Sequence, residues 1–478
     1  IAGAGYSIPL AAAALACAPI ELAEPLRELE RCQVFQGRHF VHDVIATVTQ
    51  RSVPGMVAEF MHRFVAEHLD GHGGDAAHIA SHWQACGEWR RAGLAWVQAA
   101  LAAQAAALAN EHAALLDAAI AAFEHDPASH DALFDALAQR VNVFESQGHE
   151  GLRPQLITRL QALARTEPQR LSALNHHFGW LTNLGQPVDE AQALAAIDRA
   201  RAVGRPDLAF EFSRMLGWQW AMNNRADEGQ ALLLQNEAWI EHEGSLTERA
   251  EYRLARSSIF AFGDRLPEAI AEARQAQQAF TAAKDWPNAL PAMSNLGVMH
   301  YWRGEYPEAQ AVLSEARALR ERLYGGSGSG IKIDIHLGAV LYELGQADDA
   351  AAMLQGALVE MHTWPDNEYR RTECLLADNH LAQMWIALGQ ADAAAQVLAH
   401  DATGVADRFY GRRLTLRLRW QRVFAPAALH SAANLALRAE LQAVADRVAS
   451  PFNNALMRLE LARHASPAEA IATGLALH

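Results

Sequence analysis

The sequence predicts an all-α chain, a solenoid of stacked helical hairpins with a small domain of different character at its N-terminus. Three observations carry this prediction. Two small residues recur 12 residues apart in six successive segments, and the segments follow one another at steps of 38, 40, 40, 41 and 44 residues. A glycine or asparagine interrupts each segment between the two. The chain is also long, at 478 residues of which 51% are hydrophobic. That is too much for one ordinary core, so it needs several domains or a repeat array.

In chain order, the first apolar run is "IPLAAAALACAPI", Ile8 to Ile20, 13 residues long. It is too short to span a bilayer, and no basic segment precedes it as a secretory signal would require. It reads as a short core helix. A helix from Ile20 to Arg31 follows, then a short hydrophobic segment broken at Gly37. Next come "FVHDVIATVTQ" and a helix from about Pro54 to Leu69. This order of helix, strand-like wing and helix predicts a partial winged-helix-like domain over residues 1–70. Residues 71–165 are expected to form entry helical hairpins, 166–404 the six repeats, and 405–478 C-terminal capping helices.

Within the repeats, the first small residues are Gly179, Gly217, Ser257, Gly297, Gly338 and Ala382, and the second are Ala191, Gly229, Ala269, Ala309, Ala350 and Ala394. Apolar residues three and four apart mark two amphipathic helices per unit. Gly185, Asn224, Gly263, Gly304, Gly345 and Gly389 lie between them, where such residues end a helix. Small residues at fixed sites let paired helices approach closely. A lone hairpin cannot bury its apolar face, so neighbours must stack into a superhelix.

The fourth unit carries Leu296, Gly297, Gly304, Tyr306, Ala309, Leu313 and Ala316. In this it resembles the tetratricopeptide repeat, although its period is longer and the closing proline is absent. A second resemblance lies in the first hundred residues. Phe40, His42, Asp43, Val44 and Ile45, then His62 and Ala66, then Ile79, Ala80, His82, Trp83, Gly87, Ala92 and Ala99 are similar to the winged helix and repeat entry of bacterial STAND-class signal-transduction ATPases. Glu59 stands where that family usually has arginine. The resemblance implies the C-terminal regulatory part of such a protein or transcriptional activator. It implies an ATPase domain upstream of Ile1 and a cytoplasmic location. The expected role is sensor or scaffold, with a ligand or protein in the concave groove; the alternative is a pure protein–protein adaptor with no small ligand.

Several chemistries are excluded by pattern. "GGSGSGIK" lacks the phosphate-loop order, because Ile331 separates Gly330 from Lys332, Ile333 replaces the hydroxyl, and no strand precedes. It reads as a loop between the fourth and fifth units. The formal charge of −15 disfavours direct nucleic-acid binding. The segment from Pro54 to Asp70 also lacks a basic recognition face. The four cysteines have no metal or redox spacing. His68/His72 and His78/His82 are four apart, but no acidic residue completes a metal motif, and they read as structural histidines. No nucleophile motif appears, so no enzyme, metal or cofactor is expected in this chain, and no membrane partner.

In a stacked solenoid the first helices line the concave side. That register puts His176, Trp180, Asn183, Arg214, Trp218, Tyr301, Tyr342, Asn379 and Gln383 forward as groove residues. A basic stripe, Arg408, Arg412, Arg419 and Arg422, is a possible docking patch for an acidic partner, or else a solvated face paired with acidic neighbours.

Overall fold

The computed structural model describes residues 6–36, 39–106, 108–143, 152–324, 330–364, 366–402, 404–448 and 451–464. The chain divides into two compact units, 1–143 and 144–478.

The first unit runs α1 (Ile8–Leu15), α2 (Ala23–Arg31), β1 (Phe35–Gln36), β2 (His39–Phe40), α3 (Asp43–Ser52), α4 (Gly55–Gly71), α5 (Ala76–Ala85), α6 (Trp89–Ala105), α7 (Ala109–Glu124) and α8 (His130–Val141). β1 and β2 pair antiparallel, Phe35 opposite Phe40, with ring centroids 4.6 Å apart. Ala66, Ile79, Ala80, Trp83 and Ala92 form the core between α4, α5 and α6. Asp75 caps α5 by accepting the His78 amide at 2.8 Å. Inside this unit His62 Nδ1 lies 2.8 Å from His82 Nδ1, and the His78 ring is tilted against His82 with centroids 4.8 Å apart.

The second unit is a solenoid of helical hairpins. After α9 (Arg153–Leu163), the hairpins are α10 (Glu167–Leu184) with α11 (Glu190–Ala202), then α12 (Pro206–Met222) with α13 (Ala226–Leu234). α14 (Glu237–His242) is a short insert, which adds length to this repeat. There follow α15 (Leu246–Phe262) with α16 (Leu266–Ala283), α17 (Trp286–Trp302) with α18 (Tyr306–Tyr324), α19 (Ile331–Glu343) with α20 (Ala347–His362), and α21 (Glu368–Ala387) with α22 (Ala391–Leu398). α23 (Asp407–Phe424), α24 (Ala432–Arg447) and α25 (Pro451–Arg463) close the array. α18 ends at Tyr324 and α19 starts at Ile331, so the glycine–serine stretch falls between hairpins; residues 325–329 lie outside the described residues.

Local chemistry explains the boundaries. Thr166 with Gln169 and Ser245 with Glu248 make capping boxes at the starts of α10 and α15. Gly185, Asn224, Gly304, Gly345 and Gly389 take left-handed φ between 64° and 80° at the hairpin turns. In the third hairpin Asp264 holds that position, φ 59°, and Gly263 does not. Aspartate tolerates this backbone because its short side chain can bond locally.

The small residues pack as the repeat predicts in most hairpins. A Cβ on Gly229 would collide with the Gly217 carbonyl, and one on Gly338 would sit 2.8 Å from Leu354 Cγ. The first hairpin differs. A Cβ on Gly179 would meet nothing within 4 Å, and Ala191 is exposed. Its longer turn is held by the next repeat instead. Gln219 accepts the Val188 amide at 2.7 Å and donates to the Val188 carbonyl at 3.0 Å.

Candidate functional site

The first helices of successive hairpins pack on one another, α10 on α12, α12 on α15, α15 on α17, α17 on α19 and α19 on α21, with α23 next against α21. This inner layer bends until α10 also meets α21. Trp180 reaches the Tyr369 ring at 6.3 Å, and Gln186 donates to Glu368. Arg408 on α23 donates from Nη1 to Met222 Sδ at 3.2 Å, at the end of α12. The concave groove is therefore closed into a lumen walled by the first helices and by α23.

The two sides of the lumen carry different charge. On α12 and α15, Arg214 donates to Glu211 at 2.6 Å, and the Glu211 charge holds the guanidinium firmly protonated. Burial, reinforced by the Glu211 charge, pushes the nearby Glu251 carboxyl up to about 7. Burial also brings His176 down to about 4. On α19, α21 and α23 three cations, Lys332, Arg408 and Arg412, stand with the carboxylates of Glu343 and Glu373. Lys332 Nζ lies 3.0 Å from Glu373 Oε1. Arg412 Nη2 donates to Gln383 Oε1 at 2.9 Å. Burial, then the charges of Lys332 and Arg412, bring His336 down to about 4, and burial with Arg412 and His336 holds His380 well below its usual value. Burial lowers Arg408 to about 10 and lowers Arg412 as well.

The sequence-derived groove residues go to several places. Tyr301, Tyr342 and Gln383, from three hairpins, come together in one small pocket with Glu343 and His380. His176 and Arg214 lie near Glu211. Trp218 stands 5.8 Å from the Arg408 guanidinium and edge-on to Phe262. Trp180 is buried at the closure, 8% exposed. Asn183 is exposed near the end of α10. Asn379 is fully buried, accepting from Arg413 Nε at 2.9 Å and donating to the Phe409 carbonyl. The stripe on α23 also divides. Arg408 and Arg412 turn to the lumen, Arg422 pairs with Glu460 at 3.0 Å, and Arg419 is half-buried further along the helix.

His336, His380, Glu211 and Glu251 escaped the sequence reading. A signal existed for the two histidines, since each sits two residues before the small residue of its repeat, Gly338 and Ala382. Among the described residues no group of three or more His, Cys, Asp or Glu side chains is placed to hold a metal ion. No single described helix is long and apolar enough to cross a membrane.

A second concavity of about 590 Å³ lies away from the lumen, between α18, α19 and α20. Its polar wall is the network in which Arg317 and Arg320 both pair with Asp334, and Arg320 also with Glu360.

Comparison with known proteins agrees with the repeat reading over part of the chain. Residues 288–359, which span α17 to α20, match the tetratricopeptide repeat family. No curated protein matches. The solved structures similar to this chain at low identity include the following three. A Rap protein complexed with competence and sporulation factor is 13% identical, over 73% of this chain and 95% of that one, at a TM-score of 0.47. The apo quorum sensor NprR from B. thuringiensis is 15% identical, over 74% and 96%, at 0.44. Aspartyl phosphate phosphatase F from Bacillus subtilis is 15% identical, over 74% and 94%, at 0.43.

Proposed function

We propose that the second unit is a recognition module whose ligand or protein partner is held on the inner wall of the hairpin ring, and that it serves as the sensor or scaffold of a bacterial signal-transduction ATPase or transcriptional regulator. One observation carries the first part. Charged and aromatic side chains from separate hairpins converge on an enclosed wall, as with Tyr301, Tyr342 and Gln383 beside His380. Enclosed polar groups at fixed positions orient a ligand, and aromatic rings supply contact area at small entropic cost. The regulatory context draws support only from the residues near Phe40 to Ile45 and Ile79 to Ala99 described above. In this reading the chain works in the cytoplasm, needs no cofactor and catalyses nothing.

A sensor must bind differently to two states of its protein. The closure between α10 and α21 is a place where two such states would differ. The test is a thermal-shift screen of peptides, sugars, nucleotides and amino acids on the wild type and on Trp218→Ala/Tyr301→Phe. A ligand that raises the midpoint in the wild type and loses at least about tenfold in affinity in the variant supports the reading. Stabilisation only by a protein partner selects the adaptor. Binding of every kind that ignores both residues removes the inner wall from recognition.

A further inference from the structure

Among the described residues, two arginines on the α23 side of the lumen lack ion pairs, although the carboxylates of Glu343 and Glu373 lie on the same wall. Lys332 has Glu373 beside it, and the Glu373 charge also acts on Arg408. Arg408 and Arg412, one turn apart on α23, have no ion pair among the described residues. A guanidinium has five N–H donors. Arg408 gives one to the thioether of Met222, a weak acceptor, and its Nε is buried with no hydrogen-bond partner. Arg412 gives one to the Gln383 amide oxygen. The fold does match other buried arginines. Arg413, adjacent to Arg412, bonds Asp378, Asn379 and the Val397 carbonyl.

Arg408 is also held in place. Its guanidinium covers the left-handed turn at Gly185, where a Cβ would collide with Nη2, and it lies 4.6 Å from the Phe409 ring centroid. His336, His380 and Tyr301 lie close enough to Arg412 to feel its charge. An enclosed guanidinium without an ion pair is costly to keep, and a planar fork with an unpartnered Nε fits an oxyanion.

We propose that Arg408 and Arg412, with His336, His380 and Tyr301 beside them, form an oxyanion-binding subsite in the lumen, which receives a carboxylate or phosphate group of the bound molecule. The proposal rests on the reading of the inner wall as a recognition surface and names one chemical group that this wall takes.

The experiment is calorimetric titration of the full chain at fixed ionic strength with three probes: inorganic phosphate, N-acetyl-triglutamate, and its uncharged triglutamine amide. The anions bind and the neutral peptide binds more weakly. Phosphate binding alone points to a phosphorylated ligand, and triglutamate binding alone to a carboxylate. Arg408→Gln/Arg412→Gln loses at least about tenfold in anion affinity. Arg408→Lys/Arg412→Lys, which keeps the charge but not the fork, falls between that variant and the wild type. Arg419→Gln, further along the same helix, changes little. Circular dichroism confirms that each variant is folded. Absence of anion binding, equal weakening by Arg419→Gln, or undiminished binding by the double glutamine variant overturns the subsite. A neutral ligand that needs Trp218 but ignores both arginines overturns the subsite and leaves the wider reading standing. Arginine-dependent anion binding with no larger ligand ever competing does the reverse.

Discussion

Arg412 and Arg413 are neighbours on one helix, yet the fold treats them oppositely. Arg413 points between hairpins, is 1% exposed, and is bound by a carboxylate, an amide and a carbonyl. Arg412 points into the lumen and has one amide oxygen. The same contrast runs through the unit. Between hairpins, Arg320 is locked to Asp334 and Glu360, and within the second hairpin Gly217 touches Gly229. Facing the lumen, burial shifts the proton affinities of Arg408, His336 and His380, and Arg408 Nε has no hydrogen-bond partner. The contacts within and between hairpins are finished by the chain itself, whereas the lumen wall is unfinished.

The largest effect should come from breaking a finished contact. Arg413→Met leaves Asp378 buried without its cation and should cost about 3–5 kcal/mol in chemical denaturation. A loss under about 1 kcal/mol would erase the contrast.

Acid should come next. Burial, with His78 and His62 adding their charges, brings His82 down to about 4. Unfolded histidine takes its proton near 6.5, so the unfolded state binds more protons between those values. Stability is therefore complete above about 6.5 and falls with pH until about 4, by up to about 3 kcal/mol for this group. His82→Gln should flatten the denaturation midpoint against pH, with His176 and His336 leaving a residual slope. An unchanged profile would place the sensitivity elsewhere.

Gly229→Ala puts a Cβ against the Gly217 carbonyl and should cost about 1–3 kcal/mol by thermal denaturation. The equivalent change at Gly179, where a Cβ meets nothing, should stay within about 0.5 kcal/mol. Equal effects at the two glycines would dissolve the distinction between a tight hairpin and the looser first one.

The finished half of the molecule was the half legible in the sequence. Small residues 12 apart and a turn residue between them express backbone contact and left-handed φ, which depend on local chemistry and recur in every unit. The third turn shows how fine the limit is. Glycine is the usual sign of left-handed backbone, but Asp264 takes that role beside Gly263. The lumen was less legible because closure depends on the accumulated bend of the hairpins. Nothing local says that Trp180 will meet Tyr369, 189 positions further along, or that Arg408 will cover Gly185. A stripe of arginines spaced for one face likewise could not disclose that Arg422 has Glu460 while Arg408 and Arg412 have the lumen.

The most direct test sets Arg412→Gln beside Arg413→Gln in phosphate-free buffer and reads the thermal midpoint of each. Arg412→Gln should melt at or above the wild type, because a buried cation without an ion pair has been removed, while Arg413→Gln should melt well below it. Two variants that fall together, by similar amounts, would contradict the claim that the lumen wall is kept open for a ligand.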